Sequence, residues 1–190
     1  MSDRLAKKEL ARMSAIRMQM LQVHPFWGHL LLQVKLVPAL ELDAIAATDC
    51  VRHIWFNPAR TKRLSLPQLG FVLAHEACHQ LMASLGRQRG RNPNLWNCAT
   101  DHAINHMVVA MTNPARPLES LYRPPPRILL EARFAGKIAE AIYEYIAREE
   151  VPPARSLTVV LDQGEDKGRQ VRVPVTDHGG NIDVHLPGEL

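Results

Sequence analysis

The chain has 190 residues, 46% of them hydrophobic and 22% charged, with a formal net charge of +4. That length supports one domain with a real core, and the composition is globular rather than disordered or fibrous. No apolar run is long enough to span a bilayer, and Met1 to Glu9 carry charges of both signs with no apolar stretch of a secretion signal, so the expected compartment is cytoplasmic.

In chain order, residues 3–22 read as an amphipathic helix, with Leu5, Met13, Ile16, Met20 and Val23 recurring mostly at three- and four-residue steps. His24-Pro25 ends it, because the residue before proline is pushed out of the helical region. In the apolar run Phe26 to Val37, Gln33 and Lys35 alternate with Leu32, Val34 and Leu36, so its end reads as a strand; periodicity leaves its first part open. A second extended segment, Asp49 to Phe56, stops at Asn57-Pro58, and the two strands are expected to pair antiparallel in one small sheet. The strand ending at Phe56 is expected to form a rim where an extended peptide adds by backbone hydrogen bonding.

Ser65-Leu66-Pro67-Gln68 opens the next helix as a capping box with proline in the first turn, and Gly86 is its expected C-terminal cap, giving a helix from Leu66 to Leu85. Asn92-Pro93 starts another helix that Asn113-Pro114 stops. Arg123-Pro124-Pro125-Pro126 is a stiff connector. A further helix, Ala135 to Glu149, shows Ile138, Ile142, Tyr145 and Ile146 on one face. After the break at Val151-Pro152-Pro153, Leu157 to Leu161 and Gln170 to Val175 alternate around a turn-rich segment and predict a hairpin. The fold class is therefore α+β: a small sheet on a helical core spanning 1–150, then a strand-rich tail, 151–190, packing on or over it.

The helix from Leu66 carries His75-Glu76-Ala77-Cys78-His79 in its middle. Residues four apart on a helix lie about 40° from each other around the axis, so His75 and His79 can offer nitrogen to one point. Glu76, about 100° round from His75, is placed to reach a water activated by a metal there. Two neutral nitrogens and one carboxylate base are the parts of a zinc hydrolase site.

A catalytic zinc keeps three protein ligands and one open position. The following helix offers Asp101, His102 and His106, with Asn97 and Asn105 four residues either side of Asp101 as ligands or as hydrogen-bond supports. His102 and His106 form a rival pair at the same spacing, and the spacing does not choose among the candidates. His178 and His185 in the tail can reach over the cleft to the open position. The three cysteines, Cys50, Cys78 and Cys98, fit reduced thiols at no zinc-knuckle spacing, and Cys78 reads as packing under the helix rather than as a ligand. Two basic clusters, Arg60, Lys62 and Arg63 before the motif and Arg87, Arg89 and Arg91 after it, either rim a cleft for an anionic partner or form a solvated surface.

The segments Leu73 to His79 and Leu95 to Asn105, with Pro25-Phe26-Trp27-Gly28, Ala47-Thr48-Asp49, Ile54 to Pro58 and Ala139 to Tyr143, resemble the putative metallopeptidase domain found N-terminal to VWA-like domains in bacterial proteins. The resemblance covers roughly residues 10–150, and more loosely Asp183-Val184-His185. It implies a zincin-like fold with Asp101 as third ligand. The expected function is that of a zinc-dependent metallopeptidase, with Zn2+ on His75, His79 and Asp101, Glu76 as general base, and a peptide or protein as substrate. Its rival is a zinc-stabilised binding module without turnover, recruiting a protein such as an AAA+ ATPase or a VWA-domain protein, or nucleic acid.

Overall fold

The computed structural model describes residues 2–111, 121–149, 156–160 and 170–174. The first helix, α1 (Ser2–Val23), buries Met13, Ile16 and Met20, the centre of the predicted stripe, whereas Val23 at its end is exposed. The open part of the next run is helical: Pro25, at the first position, launches α2 (Pro25–Leu32), so the strand starts later than the alternation suggested. The two helices meet at Gly28, where a Cβ would lie 2.2 Å from the Cα of Leu21, so only glycine permits the approach.

Three short strands follow, β1 (Lys35–Pro38), β2 (Ala46–Thr48) and β3 (His53–Phe56), in the spatial order β1-β3-β2. Two expectations are corrected here. The predicted strands β1 and β3 pair parallel, with Lys35 opposite His53 and Pro38 opposite Phe56, because the chain turns back twice between them through β2. It is β2 that runs antiparallel to β3, with Ala46 opposite Phe56 and Thr48 opposite Ile54. The strand ending at Phe56 is thus central, with both edges already paired, and cannot be the rim that receives a peptide. One face of β3, Ile54 and Phe56, is buried, as its period of two requires.

Asn57 ends β3 and caps a short helix, α3 (Pro58–Thr61), its Oδ1 accepting from the Ala59 N–H at 2.8 Å. The motif helix α4 (Leu66–Leu81) starts at the predicted capping box: the Gln68 N–H donates to Ser65 Oγ and the Ser65 N–H to Gln68 Oε1. Its end is corrected. The helix stops at Met82, not at Gly86, through a reversal in which Ala83 takes φ 48°, the Ser84 N–H donates to the His79 carbonyl at 3.1 Å and the Ala83 N–H to the Gln80 carbonyl at 3.1 Å. That pair of bonds is the Schellman arrangement, with alanine in the left-handed position usually given to glycine.

Helix α5 (Pro93–Ala110) begins where Asn92 Oδ1 accepts from the N–H groups of Asn94 and Leu95, and ends before Asn113-Pro114. Helix α6 (Ala139–Arg148) starts later than predicted because Gly136, at φ 71°, turns the chain after a 3-10 turn at Ala132–Phe134. Ile142 and Ile146 of its expected face are buried, while Ile138 and Tyr145 are exposed. The tail strands β4 (Ser156–Val160) and β5 (Gln170–Pro174) pair antiparallel as the predicted hairpin. None of the described helices is long and apolar enough to cross a membrane.

Helix α4 packs against α1, α2, β2 and α5. Its apolar residues, Leu69 to Ala74, Ala77 and Cys78, sit in the main core with Met13, Ile16, Leu36, Ile54, Phe56 and Ile104. Gly70 lets the chain at Leu121 cross the helix, where a Cβ would meet the Leu121 carbonyl oxygen at 2.1 Å. A second cluster, Cys98, Ala99, Phe134, Ile142 and Ile146, joins α5 to α6. The main core therefore joins α4 to α5 through Ile104 and Val108, and the second cluster seats α5 on α6.

Candidate metal centre

Helices α4 and α5 bring His75, His79 and Asp101 together in the interior. One ligand atom from each lies within 4.8 Å of the others, and all three residues are buried. His79 Nε2 is 2.9 Å from His75 Nε2 and 3.3 Å from Asp101 Oδ1, and His75 Nε2 is 3.8 Å from the same oxygen.

The outer nitrogen of each imidazole is held from behind. His75 Nδ1 is 2.8 Å from Asn105 Oδ1, and the Asn105 amide nitrogen donates to the Leu129 carbonyl at 2.9 Å. That second bond sets which way the amide points, so its oxygen accepts from His75 Nδ1–H and the lone pair of His75 is on Nε2. His79 Nδ1 is 3.2 Å from Ser84 Oγ. Asn97 Nδ2 reaches Asp101 Oδ2 at 3.5 Å, the longest of these supporting contacts. Nitrogen lone pair and carboxylate oxygen thus converge on one buried point. Two imidazoles and one carboxylate, backed by hydrogen bonds to the outer nitrogens, fit a divalent metal.

Glu76, next to His75 in the sequence of α4, is fully buried. Of the expected alternatives, Asn97 and Asn105 stand behind the cluster as supports. His102 and His106 lie outside it. The Glu131 N–H reaches His102 Nδ1 at 3.5 Å, the His102 ring sits edge-on to Phe134 at 4.7 Å, and His106 Nε2 donates to the Glu131 carbonyl at 2.8 Å. His178 and His185 lie outside the described residues. Cys78 is packed in the core, where burial and the neighbouring Glu76 charge push its thiol well above the usual range. Burial, reinforced by the charges of Asp101 and Glu131, pushes the Cys98 thiol up to about 12. Neither joins the cluster.

Ser84 and Leu129 escaped the sequence reading. Neither carries a local cue, since a serine predicted to lie in a helix and a leucine in a loop reach the site only through the fold.

The second basic cluster is largely committed to structure. Arg87 pairs with Glu140 through two contacts, at 3.0 and 2.6 Å, which hold the Glu140 carboxyl below its usual range. Arg91 lies 4.9 Å over the Trp96 ring and 5.4 Å from that of Tyr143, closing the loop between α4 and α5 onto α6. From the first cluster, Arg60 pairs with Asp43.

A family model described as a putative metallopeptidase domain matches residues 7–182. No curated protein and no solved structure matches the chain.

Proposed function

From a chain that belongs to the putative metallopeptidase domain family, we propose a metal-dependent hydrolase of peptide bonds, with His75, His79 and Asp101 holding zinc and Glu76 as general base. The observation that carries this reading is the convergence of two imidazole Nε2 atoms and a carboxylate oxygen at a buried point, with both Nδ1 atoms engaged behind them. A zinc ion bound there supplies Lewis acidity to a water and to the scissile carbonyl.

The chain's own groups do the rest. His75 and His79, one helical turn apart on α4, are fixed by the helix backbone, and Asp101 is fixed by the packing of α5 against it. Glu76 takes a proton from the attacking water onto its carboxylate and delivers it to the leaving amine nitrogen, as the C–N bond breaks and the new C–O bond forms. Burial of the site excludes bulk water and strengthens each of these charge interactions. Residues 1–150 are the proposed catalytic unit, with a zincin-like arrangement, and 151–190 its tail; the substrate is a peptide or protein.

Glu76→Gln keeps shape and volume but removes the base. It is expected to bind zinc as the unaltered chain does and to lose about 10²–10⁴-fold in hydrolysis of a peptide library. Hydrolysis at the original rate overturns the mechanism. A zinc-stabilised binding module would bind the metal equally and show no turnover before the substitution.

A further inference from the structure

We propose that Ser84 is a positioning residue for the metal centre: it holds His79 with the hydrogen on Nδ1, so that Nε2 faces His75 and Asp101. This rests on the metal-site reading above and adds a residue that neither the motif nor the ligand set contains.

Ser84 lies five residues beyond His79. In a continued helix that separation would put it about 140° round the axis, facing away from the imidazole. The reversal at Ala83, at φ 48°, brings it back over His79. A non-glycine residue held in the left-handed region is strained, so the surrounding structure must over-determine it.

All three polar groups of Ser84 are used, and the residue is 2% exposed. Its N–H donates to the His79 carbonyl at 3.1 Å and closes the helix. Its carbonyl accepts from Trp96 Nε1 at 2.7 Å. Its hydroxyl meets His79 Nδ1 at 3.2 Å. Trp96 is on α5, five residues before Asp101, and its ring is held under the Arg91 guanidinium. Ser84 is therefore tied at once to the helix that bears the histidines and to the helix that bears the aspartate. A neutral imidazole has one N–H; with that hydrogen directed at the Ser84 oxygen, the lone pair is on Nε2, where the metal is held.

The test uses the full chain as Ser84→Ala, Ser84→Thr and, as a control, His75→Ala, with zinc affinity measured by chelator competition. Long-range proton–nitrogen NMR of the histidine rings in the zinc-loaded, unaltered chain is the second readout. Ser84→Ala is expected to weaken zinc binding about tenfold to a hundredfold, the range for losing a partner behind a ligand, and Ser84→Thr to recover most of it. The spectrum is expected to place the His79 hydrogen on Nδ1, a result that needs no variant to fold. A purely structural hydroxyl would leave zinc affinity unchanged in Ser84→Ala. That outcome, or a His79 hydrogen on Nε2, overturns the proposal. If His75→Ala also binds zinc as the unaltered chain does, the metal-site reading itself has failed; if His75→Ala loses zinc while Ser84→Ala does not, only the role of Ser84 has.

Discussion

The chain contains two pairs of histidines at the same helical spacing, and the fold treats them differently. His75 and His79 on α4 are both fully buried, each with Nδ1 engaged behind it and with Nε2 atoms 2.9 Å apart beside Asp101. His102 and His106 on α5 are split. The first is buried against Phe134 and Glu131, and the second donates from Nε2 to the Glu131 carbonyl. A spacing of four on one helix lets two imidazoles share a metal, but it does not suffice. What separates the pairs is the nitrogen that the surroundings leave with a lone pair, and whether a carboxylate faces it. Asn105 and Ser84 make that choice on α4. The backbone of Glu131 engages the second pair instead.

The largest effect should come from breaking the first pair. His79→Ala is expected to reduce zinc affinity by more than the roughly hundredfold that a supporting partner is worth, while His106→Ala leaves it unchanged; calorimetric titration of both variants compares the pairs directly. Equal losses would erase the distinction. Asn105→Ala should lie between them, about tenfold to a hundredfold weaker, because His75 keeps its position on the helix but loses the partner that fixes its tautomer.

Smaller effects belong to features outside both pairs. In the turn between β2 and β3, Asp49 Oδ1 accepts from the N–H groups of Val51, Arg52 and His53, and Oδ2 meets His53 Nδ1 at 2.8 Å. Burial alone would raise this carboxyl, but the hydrogen bonds from His53, Val51 and Arg52 together outweigh it and hold the group below its usual range. The stabilisation is therefore present above the unfolded value of about 4 and is lost as pH falls through the folded value. Asp49→Asn should cost about 1–3 kcal/mol at neutral pH, flatten the dependence of stability on pH in that acidic window, and leave zinc affinity unchanged; urea melts at several pH values measure this. The smallest effect is expected from Ala83→Gly, which relieves the left-handed alanine but gains chain entropy in the unfolded state. A stabilisation of up to about 1 kcal/mol, read from the same melts, is the net.

Local signals made much of this legible. Ser65 with Gln68, and Asn92 before Pro93, mark the starts of α4 and α5 because a cap is made within a few residues of itself. The end of α4 was not legible. Gly86 is the local cue, yet the reversal occurs at Ala83, where the Trp96 indole on another helix holds the Ser84 carbonyl. Strand β2, three residues of Ala46-Ala47-Thr48, is too short and too uniformly buried to alternate, and missing it hid the parallel direction of β1. At the site, spacing identified His75 and His79 but left Asp101, His102 and His106 level. Packing separates them, since the face of α5 that carries Asp101 and Asn105 meets α4, while His102, about 100° round, meets Phe134.

The central claim is most directly tested by anomalous diffraction from a zinc-loaded crystal. One ion is expected within about 2.0–2.2 Å of His75 Nε2, His79 Nε2 and an Asp101 carboxylate oxygen. An ion on His102 or His106, on Cys78, or on the Nδ1 atoms of the motif histidines would contradict the account.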